Sequence, residues 1–119
     1  MTPAPDGDQT FLMNTTEFLV LVALATEDLH GYGIVGAVET HTGGRVRLRP
    51  GNLYRVLDRM LDRGLVERLD RRQVRDPVAA KRRYYRISDQ GRRAMAAEAD
   101  LLATVLAGTP RWDGALETP

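Results

Sequence analysis

Cysteine is absent from this 119-residue chain, and histidines, aromatic residues and long apolar runs are scarce. The absence of cysteine excludes disulfides and thiolate metal sites. The two histidines, His30 and His41, are too few for an obvious metal cluster, so we expect no metal and no cofactor. The sequence has no stretch of about 18 apolar residues and no signal-peptide pattern at its polar N-terminus. We therefore expect a soluble, cytoplasmic protein.

Catalytic groups are equally scarce. The sequence has no Ser/His/Asp set, no metal-ligand cluster and no phosphate-cradling glycine loop at usable spacing. His30 is better explained as a turn residue or a helix-packing group than as a catalyst. We predict no catalytic residues and no enzymatic activity, and the length fits a single domain.

Charge is distributed unevenly along the chain. Residues 45–93 hold 16 basic side chains against 6 acidic ones, a net charge of +10, whereas the rest holds 1 against 10. A basic middle between acidic ends is typical of a surface that meets a polyanion. The alternative is a solvated, arginine-rich face without a partner.

The N-terminal part predicts a flexible lead-in and a first helix. Residues 1–13 are rich in proline, glycine and aspartate, which favours a flexible segment. Asn14 and Glu17 have the spacing of a helix N-cap and its reciprocal partner. The apolar run Phe18–Ala25 that follows must be buried on more than one side if it is helical, although its two valines leave a strand possible.

The next stretch predicts a second helix between two breaks. The sequence His30-Gly31-Tyr32-Gly33 interrupts the pattern, and apolar residues then recur at helical spacing. Gly43-Gly44 ends this helix as a C-cap. Residues 45–49 alternate charged and apolar side chains, which favours a short extended segment.

A third helix over residues 50–63 has two distinct faces. It begins at Pro50, a residue tolerated in a first turn, and ends at Gly64. Its apolar stripe comprises Leu53, Val56, Leu57, Met60 and Leu61. The opposite face carries Asn52, Tyr54, Arg55, Asp58, Arg59 and Asp62, with the two aspartates able to pair with the arginines or face away. Such a helix can place asparagine and arginine at base edges and tyrosine at a phosphate, although alone it also fits an ordinary amphipathic surface helix.

A β-hairpin follows the third helix. Residues 65–69 and 84–87 read as paired strands, with one of the two tyrosines Tyr84 and Tyr85 facing the core and the other the surface. The connecting loop 70–83 is rich in basic side chains, namely Arg71, Arg72, Arg75, Lys81, Arg82 and Arg83. We interpret this loop as a wing that lies along a phosphate backbone; the alternative is a loop kept soluble by its charge.

The C-terminal part predicts a last helix and a tail. Ser88 and Asp89 are good N-caps for a helix over about 90–106, whose stripe comprises Met95, Leu101, Leu102, Val105 and Leu106. With the apolar first helix, this stripe exposes more hydrophobic surface than one such domain covers, so we expect a homodimer. The alternative is that the helix folds back on its own subunit. Residues 108–119, with Trp112, are expected to be disordered.

The predicted elements together form a mainly α fold with a small β-hairpin. Three helices followed by a two-stranded wing make a winged helix-turn-helix domain over residues 14–88, and residues 89–107 form a dimerisation helix.

Several segments resemble the PadR family of transcriptional regulators. They are His30-Gly31-Tyr32, Thr42-Gly43-Gly44, residues 50–57 (PGNLYRVL), Gly64-Leu65-Val66 and residues 82–91 (RRYYRISDQG). These segments occur in the family's order and spacing over roughly residues 16–107. Any one of them alone is a weak signal, and the set is specific.

The resemblance implies a repressor-like dimer with two recognition helices in successive major grooves. The last helix pairs with the first helix of the other subunit, which suggests an interface of Phe18, Val22, Met95, Leu101, Leu102 and Val105. The DNA contacts carried over by position are the segment Asn52-Leu53-Tyr54 and Tyr32. The family usually has Thr or Ser in place of Asn52 and often Pro in place of Arg55, so the preferred DNA sequence is expected to differ.

Some small members of the family bind flat aromatic compounds between subunits through a tryptophan on the last helix. The only tryptophan of this chain, Trp112, falls beyond the predicted end of that helix. The resemblance therefore identifies no effector.

The sequence as a whole predicts a DNA-binding transcriptional regulator that represses from an inverted repeat. The DNA-binding residues that we predict are Tyr32, Asn52, Tyr54, Arg55, Arg59, Lys81, Arg82 and Arg83. The alternative function is a winged-helix module for protein–protein interaction that does not bind an operator.

Overall fold

A computed structural model describes residues 13–69 and 83–109. Their helices and strands follow the order α1 (Thr15–Thr26), β1 (Leu29–His30), α2 (Gly31–His41), α3 (Pro50–Asp62), β2 (Val66–Arg68), β3 (Tyr84–Ile87) and α4 (Asp89–Ala107). The predicted mainly α winged-helix fold is confirmed. Most of the predicted lead-in, the wing residues 70–82 and the tail beyond residue 109 lie outside the described residues.

Helix α1 lies in the centre of the fold. Its predicted cap is present: Glu17 N donates to Asn14 Oδ1 at 2.8 Å, and Asn14 N donates to Glu17 Oε1 at 3.0 Å. Every residue from Thr16 to Ala25 is buried or half-buried, as an all-round apolar helix requires. The alternative of a strand at this position is therefore wrong.

The carboxylate of Glu17 also joins two helices. Its side chain is buried, and Oε2 lies 3.3 Å from Nη1 of Arg63, which follows α3. The same carboxylate thus caps the start of α1 and holds the end of α3 against it.

Two glycine turns set the ends of α2 and α3. Gly43 and Gly64 have φ of +64° and +74°, in the left-handed region that favours glycine. Beyond them, Gly44 N donates to Glu39 O and Leu65 N to Met60 O, the six-to-one bonds of a Schellman motif. Both helix ends predicted from glycine are confirmed.

The sheet has one strand more than the predicted hairpin. The described strands are antiparallel in the order β1-β3-β2, with His30 opposite Tyr84 and Arg68 opposite Tyr85. Strand β1 is only two residues long and pairs with a segment more than 50 positions away, so no local pattern predicts it. Beside it, Arg86 Nη2 lies 3.0 Å from Asp28 Oδ2, and Arg86 Nε lies 3.3 Å from both carboxylate oxygens.

The segment between α2 and α3 joins no strand in the described structure. Its alternation is nevertheless real, since Leu48 is buried and Val46 packs partly on the core, while Arg45, Arg47 and Arg49 are exposed.

Helix α4 begins in the core and ends in solvent. Ser88 caps it, accepting from Gly91 N at 2.9 Å, and Ser88 Oγ donates to Gly64 O at 2.6 Å. Gly91 and Ala94 are buried, but every residue from Ala99 to Thr109 is exposed. The last nine residues of this helix therefore leave the core and are exposed in the described structure.

Candidate nucleic-acid interface

Helix α3 separates its side chains into two faces. Leu53, Val56, Leu57 and Met60 are buried and fix the helix to the core. The outward residues are exposed, as the sequence predicts; they are Asn52, Tyr54, Arg55, Asp58, Arg59 and Asp62. Within the described part of the chain, no ion pair joins these arginines to these aspartates. The two guanidinium groups are therefore available to an external anion.

The first turn of α3 is open at its N-terminus. Arg49 stands at the N-cap and makes no side-chain hydrogen bond there, and Pro50 has no N–H. The N–H groups of Gly51 and Asn52 precede Leu53 N, whose partner is Arg49 O. Unbonded N–H groups and the helix dipole favour an anion at this end.

The start of α2 lies next to this helix and is capped by His30. Its Nδ1 accepts from Gly33 N at 3.2 Å, so the ring carries its proton on Nε2 when it is neutral. The ring also meets Tyr84 edge to face, with centroids 5.3 Å apart. The sequence pattern is thus interrupted at His30 because this residue both ends strand β1 and caps helix α2.

Three of the predicted DNA-binding side chains meet in one open pocket. Tyr32 from α2, Tyr54 from α3 and Arg83 from the end of the wing line it together with His30 and Gly31. Tyr32 is 73% exposed and Tyr54 38% exposed. Two phenols and a guanidinium from three separate elements therefore face the same volume of solvent.

In β3, Tyr85 has its ring buried, while Tyr84 is half-buried, which confirms the predicted alternation. Burial raises the pKa of Tyr85, and the nearby Arg68 opposes that rise. The nearby Arg83 also opposes the rise, and Tyr54 adds to it electrostatically. The buried phenol of Tyr85 therefore senses charged and polar groups from both wing strands and from α3.

The remaining predicted DNA-binding residues, Lys81 and Arg82, lie outside the described residues, as do Arg71, Arg72 and Arg75. Two residues that sequence reasoning did not select, His30 and Gly31, line the pocket, and a third, Arg68, lies opposite the buried Tyr85 in the sheet. His30 could have been identified as a helix cap, because its side chain bonds to a backbone N–H only three residues further along the sequence. The position of Arg68 depends on strand register, and that of Gly31 on the packing of α2 against α3, so neither can be derived from spacing.

The predicted dimer residues fall into two groups. Phe18, Val22 and Met95 are half-buried, and Met95 packs partly against the core. Leu101, Leu102 and Val105 are 43%, 44% and 54% exposed on the free part of α4. The first half of α4 therefore packs on its own chain, as Gly91 and Ala94 show, whereas the apolar side chains from Leu101 onward are exposed.

Residues 13–69 and 83–109 contain no group of three or more His, Asp or Glu side chains that could hold a metal ion. None of the helices among them is long and apolar enough to cross a membrane.

Comparison with known proteins agrees with this geometry. The sequence profile of the transcriptional regulator PadR-like family matches residues 20–97. The chain belongs to the PadR-like family. The match includes α2, α3 and the wing strands, and it confirms the resemblance noted in the sequence.

One curated protein matches part of this PadR-like chain. It is 36% identical over 92 residues to an uncharacterised 37.1 kDa protein in transposon Tn4556 of Streptomyces fradiae. That match covers 76% of this chain but only 24% of the other protein.

Two solved structures share the fold. A PadR-like regulator from Bacillus cereus superposes with a TM-score of 0.66 at 22% identity, covering 87% of this chain and 93% of that one. Bacillus subtilis PadR in complex with operator DNA superposes with a TM-score of 0.58 at 18% identity, covering 71% and 45%. These likenesses establish the winged-helix fold of the PadR-like chain.

Proposed function

We propose that this PadR-like protein acts in the cytoplasm as a homodimeric, sequence-specific DNA-binding repressor. In this proposal, α3 enters the major groove and the wing over residues 70–83 lies on the phosphate backbone. Two-fold symmetry then requires an inverted repeat with half-sites about 10 or 20 base pairs apart, centre to centre.

The observation that carries this proposal is the outward face of α3. Its inner side is held by four buried residues, while Asn52, Arg55 and Arg59 project outward without ion pairs among the described residues. Asparagine can bond adenine, and arginine can bond guanine, through two hydrogen bonds each. The structural likeness to Bacillus subtilis PadR, which was solved in complex with operator DNA, supports DNA binding by this chain.

Two further features support the proposal. Residues 45–93, which include α3 and the wing, carry a net charge of +10. Contacts of Lys and Arg with phosphates release counterions, so they give binding that weakens steeply with salt. The exposed apolar stripe of α4 supports a second copy as the partner that covers it.

The test is DNA retention by the purified protein across salt concentrations. Genomic fragments that the protein retains are sequenced, and the affinity for one such fragment is measured between 50 and 200 mM salt. We expect the affinity to fall by at least about tenfold over this range. Affinity that is independent of salt contradicts phosphate binding, and retention of no fragment at concentrations that leave random DNA free favours the protein-interaction module.

Replacing Arg59 with alanine tests base reading by α3. We expect the affinity for the retained fragment to fall by about 5- to 100-fold, because one guanidinium contact with a base edge is lost. Binding to random DNA should change much less. The matched control is Arg93→Ala, an exposed arginine on α4 outside the proposed site; equal losses in the two variants contradict the assignment of Arg59.

A further inference from the structure

The ring of Tyr54 lies across the first turn of a different helix. Tyr54 belongs to α3, yet a Cβ atom on Gly31 of α2 would lie 2.5 Å from its Oη and 3.0 Å from its Cζ. Gly31 is buried and is not among the residues with positive φ. The glycine at this position therefore provides space for the ring and not an unusual backbone conformation.

The position of the ring determines where its hydroxyl points. In the described part of the chain, Oη of Tyr54 has no hydrogen-bond partner, and it borders the pocket that Tyr32 and Arg83 also line. Arg83, the residue before β3, lines the same pocket from the wing side. A phenolic hydroxyl and a guanidinium that face the same space are a suitable donor pair for one phosphate group.

We propose that Gly31 is a positioning residue for DNA-backbone binding. Its missing side chain keeps the Tyr54 ring on α2, so that the Tyr54 hydroxyl, Tyr32 and Arg83 hold a single phosphate between the helix pair and the wing. This inference rests on the proposed function, since the phosphate is one of the DNA backbone.

A methyl group on Gly31 displaces the ring and leaves the fold in place. The atoms it would meet are the far end of a flexible side chain, which can turn outward into solvent. The matched control is Gly36→Ala on the same helix, because Gly36 is exposed and a Cβ there has nothing within 4 Å. Both variants add one methyl group to α2, and it contacts Tyr54 only in Gly31→Ala.

The experiment is a double-mutant cycle of Gly31→Ala and Tyr54→Phe on the full chain. Each single change is expected to weaken binding of a retained duplex by about fivefold or more, as loss of a hydrogen bond to a charged group does. The double variant should bind no more weakly than the weaker single one, because without its hydroxyl the ring has no phosphate contact left to lose. Gly36→Ala should bind like the wild type.

Two further readouts separate positioning from a general structural effect. Aromatic NMR signals of Tyr54 in the free protein should move in Gly31→Ala and stay in place in Gly36→Ala. The slope of log affinity against log salt should be unchanged in Gly31→Ala, since a neutral hydroxyl releases no counterion, but should fall by about one per subunit in Arg83→Ala.

The outcomes that overturn the inference are distinct from those that overturn the proposed function. If the wild type binds DNA but the two changes weaken binding additively, Gly31 does not act through Tyr54. Unchanged binding by Gly31→Ala, or loss of its cooperative thermal melt, overturns the inference as well. Failure of the wild type to retain any duplex overturns the proposed function, and this inference with it.

Discussion

Gly91 lies where helix α4 comes closest to the start of the wing. A Cβ atom at this position would overlap the carbonyl oxygen of Leu65 and lie 2.9 Å from Cγ1 of Ile87. The nearest atoms belong to the backbone of Leu65, which cannot move away as the end of a flexible side chain can. The absence of a side chain at Gly91 therefore allows α4 to dock and Ser88 to bond to Gly64 O.

Replacing Gly91 with alanine should destabilise the protein. We expect the free energy of unfolding to fall by about 2–4 kcal/mol, because the methyl group overpacks the contact and pushes α4 outward. Urea denaturation followed by circular dichroism measures the change. The control Gly36→Ala should stabilise the fold by about 0.5–1 kcal/mol through helix propensity, and a Gly91→Ala variant as stable as the wild type contradicts the close packing.

Tyr85 should make stability depend on pH in the alkaline range. Burial raises the pKa of its phenol above the ordinary value of 10.0 for tyrosine, so the folded state holds the proton more tightly than the unfolded state. Stability from this group is complete below pH 10 and is lost as the pH rises through the folded-state pKa.

The measurement is urea denaturation at pH values from 8 to 11. The wild type should lose stability above pH 10, and Tyr85→Phe should lose less of it over the same range because it has no proton to release. Equal alkaline losses in both proteins would show that Tyr85 is not the group responsible.

At the scale of elements, local chemistry explains which parts of the fold can be read from the sequence. The cap formed by Asn14 and Glu17 and the glycine turns at Gly43 and Gly64 depend on residues within six positions of one another, and all were predicted. Strand β1 was missed because its pairing with β3 is fixed only when the chain has folded.

The same distinction applies to the candidate site. The outward face of α3 follows from helical periodicity alone, since its buried stripe identifies the opposite side. The contact between Tyr54 and Gly31 depends on the packing of two helices, and the meeting of Arg68 with Tyr85 depends on strand register. Neither the packing of the helices nor the strand register can be derived from the spacing of residues along the sequence.

Helix α4 is the element on which the proposed dimerisation depends. Changing Leu101 and Val105 together to lysine should place two charges in the proposed interface and give a monomer of 13.3 kDa in place of a particle of twice that mass. Sedimentation velocity measures the mass. The control Ala96→Lys adds a charge roughly opposite the apolar stripe and should leave the dimer intact; a wild type that sediments as a monomer contradicts the prediction.

At the scale of the whole molecule, a dimer links folding to concentration. In the proposed dimer, the second copy covers the exposed stripe of α4, so association would stabilise the folded state by mass action. A single chain of this size buries a modest core, to which the shared surface would add.

The midpoint of thermal unfolding should therefore rise with protein concentration. We expect an increase of a few degrees for each tenfold increase in concentration, measured by circular dichroism or calorimetry. The variant with lysine at positions 101 and 105 should melt at a lower temperature that does not change with concentration. A wild-type midpoint that is constant over a hundredfold range would exclude stabilisation by dimerisation.

The two-faced construction of α3 has a consequence for how such proteins diversify. Leu53, Val56, Leu57 and Met60 secure the helix, and Gly43 and Gly64 set the turns on either side of it. The solvent-facing positions can therefore be exchanged as a set while the scaffold stays the same. Duplicated genes can acquire new target sequences in this way, and libraries randomised only at positions 52, 55, 58 and 59 should consist mostly of folded proteins.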